Sequence, residues 1–558
     1  MNLKPVNYKK ATKILAFSFT TVLLLCLAFP PADMGFLAWI ALIPWFILIA
    51  TNERYFSLHS LGIGILFFFI QLSWMRYVTI AAWILLPLYC STYFLCFAFC
   101  TKRIFFRLKL PLIFIAPCTW AALEFIRSFF LSGFPWFFIG HTQYQYLTII
   151  QITDITGVYG VSFIIVLVNA AIADLIVWRL AKRNKTVSCS SSQNTCIKDI
   201  YGNFPFSCKK FTLFHLFYLV PLFLVTFVSA YGFLRIKNNL FQEGPTICMV
   251  QGNIPQEVKA DSTEEDQITI LKKYTDLSMD AKGTPVDLLV WPETMMPGLL
   301  NINPELTGRK IDFLSQLTTI QLAQHLNAHL LLGGISLLLA GEEQIFFNSA
   351  YYYNRQGTLV DRYDKIHLVP FGEFTPLEKY FPFLSKLVPY NIGLSPGRKR
   401  TLFHMDIPSK GYFTFGASIC YEDTVPSLVR KFKKEGANFM INITNDGWFH
   451  NSSELDQHLA IMVFRAVENR MGMARAANTG ISSFVSPDGT IYDRFLDQNG
   501  NDKEVSGILI NTIKLKDGYL SFYTNYGDWF SVLCVTATAI MLFLSIFHRN
   551  FSLTFCKR

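Results

Sequence analysis

The sequence is poor in charged residues. Of its 558 residues only 16% are Asp, Glu, Lys or Arg, while 52% are hydrophobic and the mean hydropathy is +0.34. Soluble globular chains carry roughly 25% charged residues. The shortage of charge therefore excludes a wholly soluble protein and indicates an integral membrane protein.

Metal-ligand and disulfide patterns are also missing. The 12 cysteines include no CxxC pair, so the spacing typical of zinc sites is absent. Six of them lie in apolar runs, where cysteine packs as a small apolar side chain. Cys248 and Cys420 lie in the large, more polar later region, which is therefore not a disulfide scaffold.

A basic stripe interleaved with aromatic residues is lacking too, although the net charge is +10. The lysines and arginines cluster beside apolar segments instead. This distribution argues against a nucleic-acid partner and is typical of a chain oriented in a membrane.

Long apolar runs are abundant. Stretches of about the length that spans a bilayer occur near 12–29, 35–51, 56–74, 77–100, 110–130, 158–178, 214–235 and 527–547. They predict an N-terminal transmembrane domain of about seven helices over residues 1–239, with a polar loop at 184–212. A large, more polar domain is predicted over 240–525. A last transmembrane helix and its tail are predicted over 526–558.

The basic residues predict the orientation of these spans. They lie in the N-terminus, after the fourth and sixth spans and in the C-terminal tail, which are all on one side of an alternating topology. By the positive-inside tendency this side is cytoplasmic, so the domain 240–525 is expected on the opposite, extracytoplasmic face. The aromatic stretch 132–146 is interpreted either as an interfacial or re-entrant segment or as a plain aromatic belt.

The region 240–525 alternates strand-like and helix-like segments, which predicts an α/β layered domain. Strands are expected at 245–251, 286–292, 328–336, 348–354, 412–420, 437–444, 482–487 and 506–511. Amphipathic helices are expected at 263–282, 307–327, 423–435 and 454–475. In such folds reactive residues lie at strand ends and in the loops that follow them.

Three reactive side chains follow strand or turn signals. Glu293 follows Pro292, which is expected to stop a strand, and neighbouring apolar residues would raise its pKa toward that of a general base. Lys365 is either a fixed cation for an oxyanion or a solvated lysine paired with Asp361 or Asp364. Cys420 ends a strand before a helical run, a position suited to a nucleophile near backbone N–H donors.

Two further residues near Lys365 carry chemistry. Glu373, between phenylalanines, is a candidate supporting carboxylate. His367 could form a Cys–His dyad, although a histidine packed on a strand is the more common explanation. Taken together, a Glu, a Lys and a Cys at strand ends supply a base, an electrostatic stabiliser and a nucleophile.

The motifs WPET, DRYDKIHLVPFGEFTP, GASICYED and NITNDGWF, in this order, resemble the nitrilase (carbon–nitrogen hydrolase) superfamily. VQGNIPQ, KIHLVPFGE and RAVENRMGMARAANTGISSFVSPDG, with seven spans before and one after, resemble one branch more closely, the apolipoprotein N-acyltransferases. The resemblance implies an αββα sandwich and a triad of Glu293, Lys365 and Cys420. Glu373, Tyr421 and Glu422 would shape the pocket around the thioester.

The resemblance also implies a mechanism. Cys420 takes the sn-1 acyl chain of a membrane phospholipid as a thioester and passes it to the α-amino group of a diacylglyceryl-cysteine apolipoprotein. This chemistry needs no metal or cofactor. The implied protein is a monomer of the bacterial inner membrane with a periplasmic catalytic domain.

Other interpretations remain. A membrane-anchored nitrilase-type amidase would transfer the acyl group to water. A transporter with a large external domain is disfavoured because few ionisable residues fall inside the spans, Glu124 and Arg127 being the main exceptions. The chain also departs from the family pattern at Ala260, where a Trp is common, and at His450, where a small residue is usual.

Overall fold

The computed structural model describes residues 8–51, 55–183, 212–238, 240–260, 262–341, 343–370, 372–374, 393–516 and 518–551. The chain forms two units. The first comprises Met1–Ser73, Trp83–Lys237 and Asp528–Arg558, and the second comprises Trp74–Ala82 and Asn238–Gly527. Nearly all of the predicted loop 184–212 lies outside the described residues.

The first unit is helical. Its α-helices are Tyr8–Ala28, Ala38–Ala41, Ile43–Ala50, Phe56–Gln71, Ile80–Leu108, Leu112–Arg127, Leu147–Ile150, Thr153–Thr156, Val158–Arg183, Thr212–Lys237 and Trp529–Phe551. Four of the described helices have segments long and apolar enough to cross a membrane, namely Ile80–Leu108, Val158–Leu180, Tyr218–Lys237 and Trp529–Phe547. The other predicted spans correspond to shorter helices, and the span predicted at 35–51 is divided into three short helical pieces.

Buried polar side chains join helices of this unit. Both carboxylate oxygens of Asp174 accept hydrogen bonds, from the backbone N–H groups of Leu112 at 3.1 Å and Ile113 at 3.0 Å. These N–H groups begin a helix and have no partner within it. Asp174 therefore caps a neighbouring helix and fixes where its first turn lies.

The aromatic stretch near residues 134–143 is buried within the first unit. Glu124 Oε1 accepts a hydrogen bond from the backbone N–H of Ile139 at 2.8 Å. Arg127 Nη2 donates to the carbonyl oxygen of Phe137 at 3.2 Å. The two ionisable residues noted in the fifth span thus hold this segment against their own helix.

The second unit contains two six-stranded sheets. Its strands are β1 (Gln242–Gln251), β2 (Leu288–Met296), β3 (His329–Ala340), β4 (Glu343–Tyr353), β5 (Leu359–Asp364), β6 (Leu402–Ile407), β7 (Gly411–Ile419), β8 (Phe439–Thr444), β9 (Gly472–Ala477), β10 (Ser483–Val485), β11 (Ile491–Arg494) and β12 (Gly507–Leu515). The first sheet has the order β12-β1-β2-β3-β4-β5 and the second the order β11-β10-β9-β8-β7-β6.

Both sheets have a parallel centre. Strands β1, β2 and β3 pair in parallel in the first sheet, and β7, β8 and β9 do so in the second, while the remaining pairs are antiparallel. Every residue of β8 is buried, as expected of a central strand covered on both faces.

Helices complete the layers of the second unit. They are Gln256–Ala260, Glu264–Met279, Pro304–Thr307, Lys310–Leu326, Pro426–Lys434, Glu454–Asn469 and Phe522–Tyr526. Glu264–Met279 begins with a capping box between Thr263 and Asp266, and its apolar side chains pack on the first sheet. Contacts between the two sheets, such as those of β2 with β8, give the predicted helix–sheet–sheet–helix arrangement.

The structure differs from the predicted elements in three places. The helix predicted at 454–475 ends at Asn469, because Arg470 is left-handed (φ +50°) and β9 begins at Gly472. Strand β2 continues past Pro292 to Met296. Strands β5, β6 and β11 were not predicted, since they are short and partly exposed. The fully buried β9 was not predicted either, because its first residues fell within the predicted helix.

Candidate active site

Glu293 lies at an irregularity in β2. The pairing of β2 with β3 is interrupted between Trp291 and Met296, and Thr294 adopts a left-handed conformation (φ +53°). The side chain of Glu293 is turned inward and is 6% exposed. The sequence predicted an apolar wall beside this carboxylate. The carboxylate instead accepts hydrogen bonds from polar groups.

Two of the donors to Glu293 are asparagines. Asn348 Nδ2 on β4 lies 2.7 Å from Glu293 Oε1, and the backbone N–H of Asn445, directly after β8, lies 3.0 Å from Oε2. Gly333 on the intervening strand β3 makes room, since a Cβ there would come within 2.2 Å of the Pro292 carbonyl oxygen. Both carboxylate oxygens are thereby held in place.

Lys365 follows β5 directly and is 1% exposed. Its Nζ lies 3.2 Å from Glu293 Oε1 and 2.9 Å from Glu373 Oε1. Burial opposes the charge, but these two carboxylates together raise the pKa of Lys365 well above its usual range. The alternative pairing with Asp361 or Asp364 is wrong, and Lys365 is a fixed buried cation.

Cys420 follows β7 and begins a short 3₁₀ turn, Cys420–Thr424, with a left-handed backbone (φ +52°). Its carbonyl oxygen accepts a hydrogen bond from Asn442 Nδ2 at 3.0 Å. Burial and then the charge of Glu293 raise the pKa of the Cys420 thiol well above its usual value, while Lys365 acts in the opposite direction. The resting thiol is therefore protonated at neutral pH and requires a base.

Glu422 braces this turn. Its carboxylate accepts hydrogen bonds from the backbone N–H groups of Ile366 (2.7 Å), His367 (3.0 Å) and Ile419 (2.8 Å) and from the Tyr363 hydroxyl (2.8 Å). Burial raises the pKa of Glu422 to about 7 despite these donors. Glu422 therefore joins the Cys420 turn to the segment after Lys365.

The other predicted residues are placed as follows. Glu373 reaches the cluster through Lys365 and also accepts from the backbone N–H of Val369 at 2.8 Å. Tyr421 is half-buried in the Cys420 turn. The His367 side chain is exposed, so the strand-packed interpretation is wrong, and its ordered contribution is the backbone N–H given to Glu422.

A buried charged network lies behind the site and was not predicted. Arg475 on β9 forms salt bridges with two aspartates. Its Nη1 lies 3.3 Å from Asp423 Oδ2, and its Nη2 lies 2.9 Å from Asp446 Oδ2. It also lies 3.3 Å from Asn442 Oδ1. Because Asp446 follows Asn445, Arg475 connects the Cys420 turn with the loop whose N–H reaches Glu293.

One acid–histidine cluster has atoms close enough for a metal ion. Ligand atoms of Asp446, Glu454 and His458 lie within 4.8 Å of one another. Arg475 Nη2, however, already lies 2.9 Å from Asp446 Oδ2 and 2.7 Å from His458 Nδ1. A guanidinium among these atoms repels a cation, so the donor set fits an ion-pair network better than a metal centre.

His450, one of the departures from the family pattern, has a left-handed backbone (φ +49°). Such a conformation is easiest for glycine. Its ring packs edge-on against Tyr77 at 4.8 Å, and its Nε2 lies 3.6 Å from Glu257 Oε1. Ala260 ends the helix Gln256–Ala260.

Two family models match the chain. Residues 22–171 match the apolipoprotein N-acyltransferase N-terminal domain, and residues 246–520 match the carbon-nitrogen hydrolase family. An apolipoprotein N-acyltransferase from Geobacter metallireducens is 33% identical over 544 residues, which cover 94% of each chain. The chain belongs to the apolipoprotein N-acyltransferase family.

Other apolipoprotein N-acyltransferases are similar over much of their length. One from Treponema denticola is 27% identical and covers 92% of each chain. One from Rickettsia prowazekii is 29% identical and covers 78% of this chain and 76% of its own. The resemblance found in the sequence motifs is thereby confirmed.

Solved structures of single nitrilase-type domains were also matched. Nit3 of Saccharomyces cerevisiae, a member of branch 10 of the nitrilase superfamily, is 21% identical with a TM-score of 0.36, covering 52% of this chain and 97% of its own. An amidase from Nesterenkonia sp. AN1 is 17% identical with a TM-score of 0.36, covering 52% and 97%.

Proposed function

We propose that this protein is an apolipoprotein N-acyltransferase that moves the sn-1 acyl chain of a membrane phospholipid to the N-terminal amine of a diacylglyceryl-cysteine apolipoprotein. Its family membership over 94% of the chain carries this proposal. The clustering of Glu293, Lys365 and Cys420 supports the assignment of these residues as its catalytic triad.

In the first half-reaction, the Glu293 carboxylate takes the proton from Cys420 Sγ. The thiolate attacks the ester carbonyl carbon, and Lys365 with backbone N–H groups stabilises the oxyanion. The ester C–O bond then breaks, and Glu293 returns the proton to the leaving alcohol. The products are a lysophospholipid and an acyl thioester on Cys420.

In the second half-reaction, the neutral α-amino group of the apolipoprotein attacks the thioester carbonyl. Glu293 takes a proton from the attacking nitrogen as the new C–N bond forms. The C–S bond breaks, and Glu293 gives the proton to the departing thiolate. An amide and the resting thiol result, with the atoms and charges balanced and with one carboxylate acting in both halves.

Supporting residues have distinct tasks in this scheme. Glu373 shares Lys365 with Glu293, while Glu422 braces the Cys420 turn and Tyr421 lies beside the nucleophile at the pocket. Each of these placements positions the reacting groups, which is a large part of what such sites contribute to rate.

A membrane location suits both substrates. The domain 240–525 would lie on the periplasmic side of the bacterial inner membrane, tethered by the spans before and after it. Extracting an acyl chain into water costs about 0.8 kcal/mol per CH₂. Holding the site at the bilayer surface avoids that cost and keeps both lipid-anchored substrates at a high effective concentration.

The decisive experiment uses the purified full chain in detergent with a phospholipid labelled in its sn-1 chain. We expect hydroxylamine-labile label on the wild type and on Cys248→Ala, a control in which another buried cysteine of the same domain is removed. Cys420→Ala should carry none. Equal labelling of Cys420→Ala, or no labelled wild type, would contradict the mechanism.

The acceptor is tested by adding a diacylated lipopeptide to the labelled enzyme. We expect the label to leave the protein and appear in a triacylated peptide. Discharge only as free fatty acid, unaffected by the lipopeptide, would favour the alternative of a membrane-anchored amidase or hydrolase.

A further inference from the structure

A second lysine lies near Glu293 from another direction. Lys259 belongs to the short helix Gln256–Ala260 that follows β1. Its side chain is half-buried, and its Nζ donates a hydrogen bond to Thr294 Oγ1. Neither of the two proposed half-reactions uses this lysine.

The residue that Lys259 contacts is conformationally special. Thr294 is β-branched, yet its backbone is left-handed (φ +53°), a region that such residues rarely adopt. Its hydroxyl donates to the carbonyl oxygen of Glu293 at 2.8 Å while accepting from Lys259. Through Thr294, the lysine is therefore hydrogen-bonded to the irregular part of β2 that turns Glu293 inward.

The charges of the site also favour a second cation beside Glu293. Lys365 is shared between two carboxylates and lies nearer to Glu373 than to Glu293. Asn348 Nδ2 is likewise divided between them, at 2.7 Å from Glu293 and 3.0 Å from Glu373. A single ammonium cannot neutralise both carboxylates, so a further cation beside Glu293 stabilises its ionised form.

We propose that Lys259 is a positioning residue of the acyl-transfer site, which fixes the Thr294 conformation and supplies a second positive charge beside Glu293 and Cys420. The proposal deepens the proposed function and rests on it, because it takes Glu293 as the base. Lys259 touches neither reacting atom and acts through its charge and through Thr294.

The electrostatic environment of Lys259 supports this role. Burial lowers the pKa of Lys259 to about 8, and the nearby Glu293 and Cys420 act against that shift. The other charged groups around Glu293 and Cys420 are Lys365 after β5, Glu373 on Lys365, Glu422 in the Cys420 turn and Asp446 after β8. Removing the Lys259 ammonium therefore leaves the negative groups less compensated and makes the Cys420 thiol harder to ionise.

The first test needs no lipid. The rate of Cys420 alkylation by iodoacetamide is measured against pH on the full chain in detergent, with the modified peptide quantified by mass spectrometry. We expect Lys259→Met to shift the profile to higher pH below about pH 8, where the wild-type lysine is charged, and to leave it little changed above that pH. Lys259→Arg, which keeps the charge, should shift it much less, and Lys272→Met, at an exposed lysine of the next helix, should not shift it.

A second test follows thioester formation from the labelled phospholipid. We expect Lys259→Met to slow it about tenfold at pH 7, because the Cys420 thiol is harder to ionise without the second ammonium. Thr294→Val should also slow it, and the double variant should be little worse than Lys259→Met alone, since the hydrogen bond that Thr294→Val removes is already lost in Lys259→Met. Thr294→Ser, which keeps the hydroxyl, should stay close to wild type.

Thermal unfolding of each variant separates a folding defect from an electrostatic one. If Lys259→Met misfolds, Lys259→Arg and Thr294→Val carry the test. An unshifted alkylation profile in folded Lys259→Met, or equal shifts in the Met and Arg variants, would overturn the proposal for Lys259. A wild type that alkylates at Cys420 but forms no thioester would instead overturn the proposed function and leave the charge effect of Lys259 measurable.

Discussion

Asn348 Nδ2 lies 2.7 Å from Glu293 Oε1, although the two residues come from strands separated by β3. Glu293 and Glu373 would repel each other across this part of the site, and Asn348 donates to both. The amide therefore lets two carboxylates share one region beside Lys365. A carboxylate at position 348, which can only accept hydrogen bonds, would repel Glu293 and Glu373 instead of stabilising them.

We expect Asn348→Ala to slow thioester formation by about 10- to 100-fold, the usual effect of removing a hydrogen bond to a charged group. Asn348→Asp should be slower still, because it places a third carboxylate against the other two. The labelled-phospholipid assay measures both variants. Asn499→Ala, in an exposed turn, is the control, and a wild-type rate for Asn348→Ala would show that the amide is dispensable.

The thiol pKa separates the base from the electrostatic stabiliser. Glu293 raises the pKa of Cys420 and Lys365 lowers it. Glu293→Gln should therefore move the alkylation profile of Cys420 to lower pH, although thioester formation is lost with the base. Lys365→Met should move the profile to higher pH and also abolish thioester formation.

These opposite shifts are measured by mass spectrometry of the Cys420 peptide across pH. A change in overall access to the site would shift the rates of both variants in the same direction at every pH. Such a result would argue against the assignment of Glu293 and Lys365 as oppositely charged neighbours of the thiol.

Arg475 is expected to be essential for stability rather than for chemistry. Arg475→Met leaves Asp423 and Asp446 buried without their counter-charge, which typically costs about 3–5 kcal/mol. The thermal unfolding midpoint should fall by several degrees, and Arg475→Lys should recover little of it because an ammonium cannot reproduce the fork of bonds.

The control for this prediction is Arg494→Met. Arg494 pairs with Asp456 and Asp502 on a partly exposed surface, where such pairs contribute about 0–1 kcal/mol. We expect a small change in its unfolding midpoint. Similar losses for Arg475→Met and Arg494→Met would contradict the role given to the buried network.

Each of the predicted reacting residues carries a local signal in the sequence. Glu293, Lys365 and Cys420 lie in recognisable motifs at the ends of strands, and an apolar run such as 439–444 shows by itself that it is buried. The family could be identified from these motifs alone. The α/β layering followed from the alternation of strand and helix patterns and is confirmed, whereas the arrangement of two sheets face to face was implied by the family resemblance.

The surroundings of these residues could not be predicted in the same way. The sequence suggested an apolar wall for Glu293, whereas the fold brings Asn348, Asn445 and Lys365 to its carboxylate. The break in β2 at Thr294 has no local signal, because its left-handed backbone depends on contacts from elsewhere. Strand β5, which places Lys365, is short and polar and was missed.

The sequence by itself thus determined the family and named the candidate reacting groups, since side-chain type and motif order are local properties. Only the tertiary structure decided their charges and partners. Hydrogen bonds between residues tens to hundreds of positions apart, such as Asn445 with Glu293, depend on which strands lie side by side. Burial then sets the cost of each charge, which is why the pKa of a thiol that looks ordinary in the sequence is raised well above its usual value.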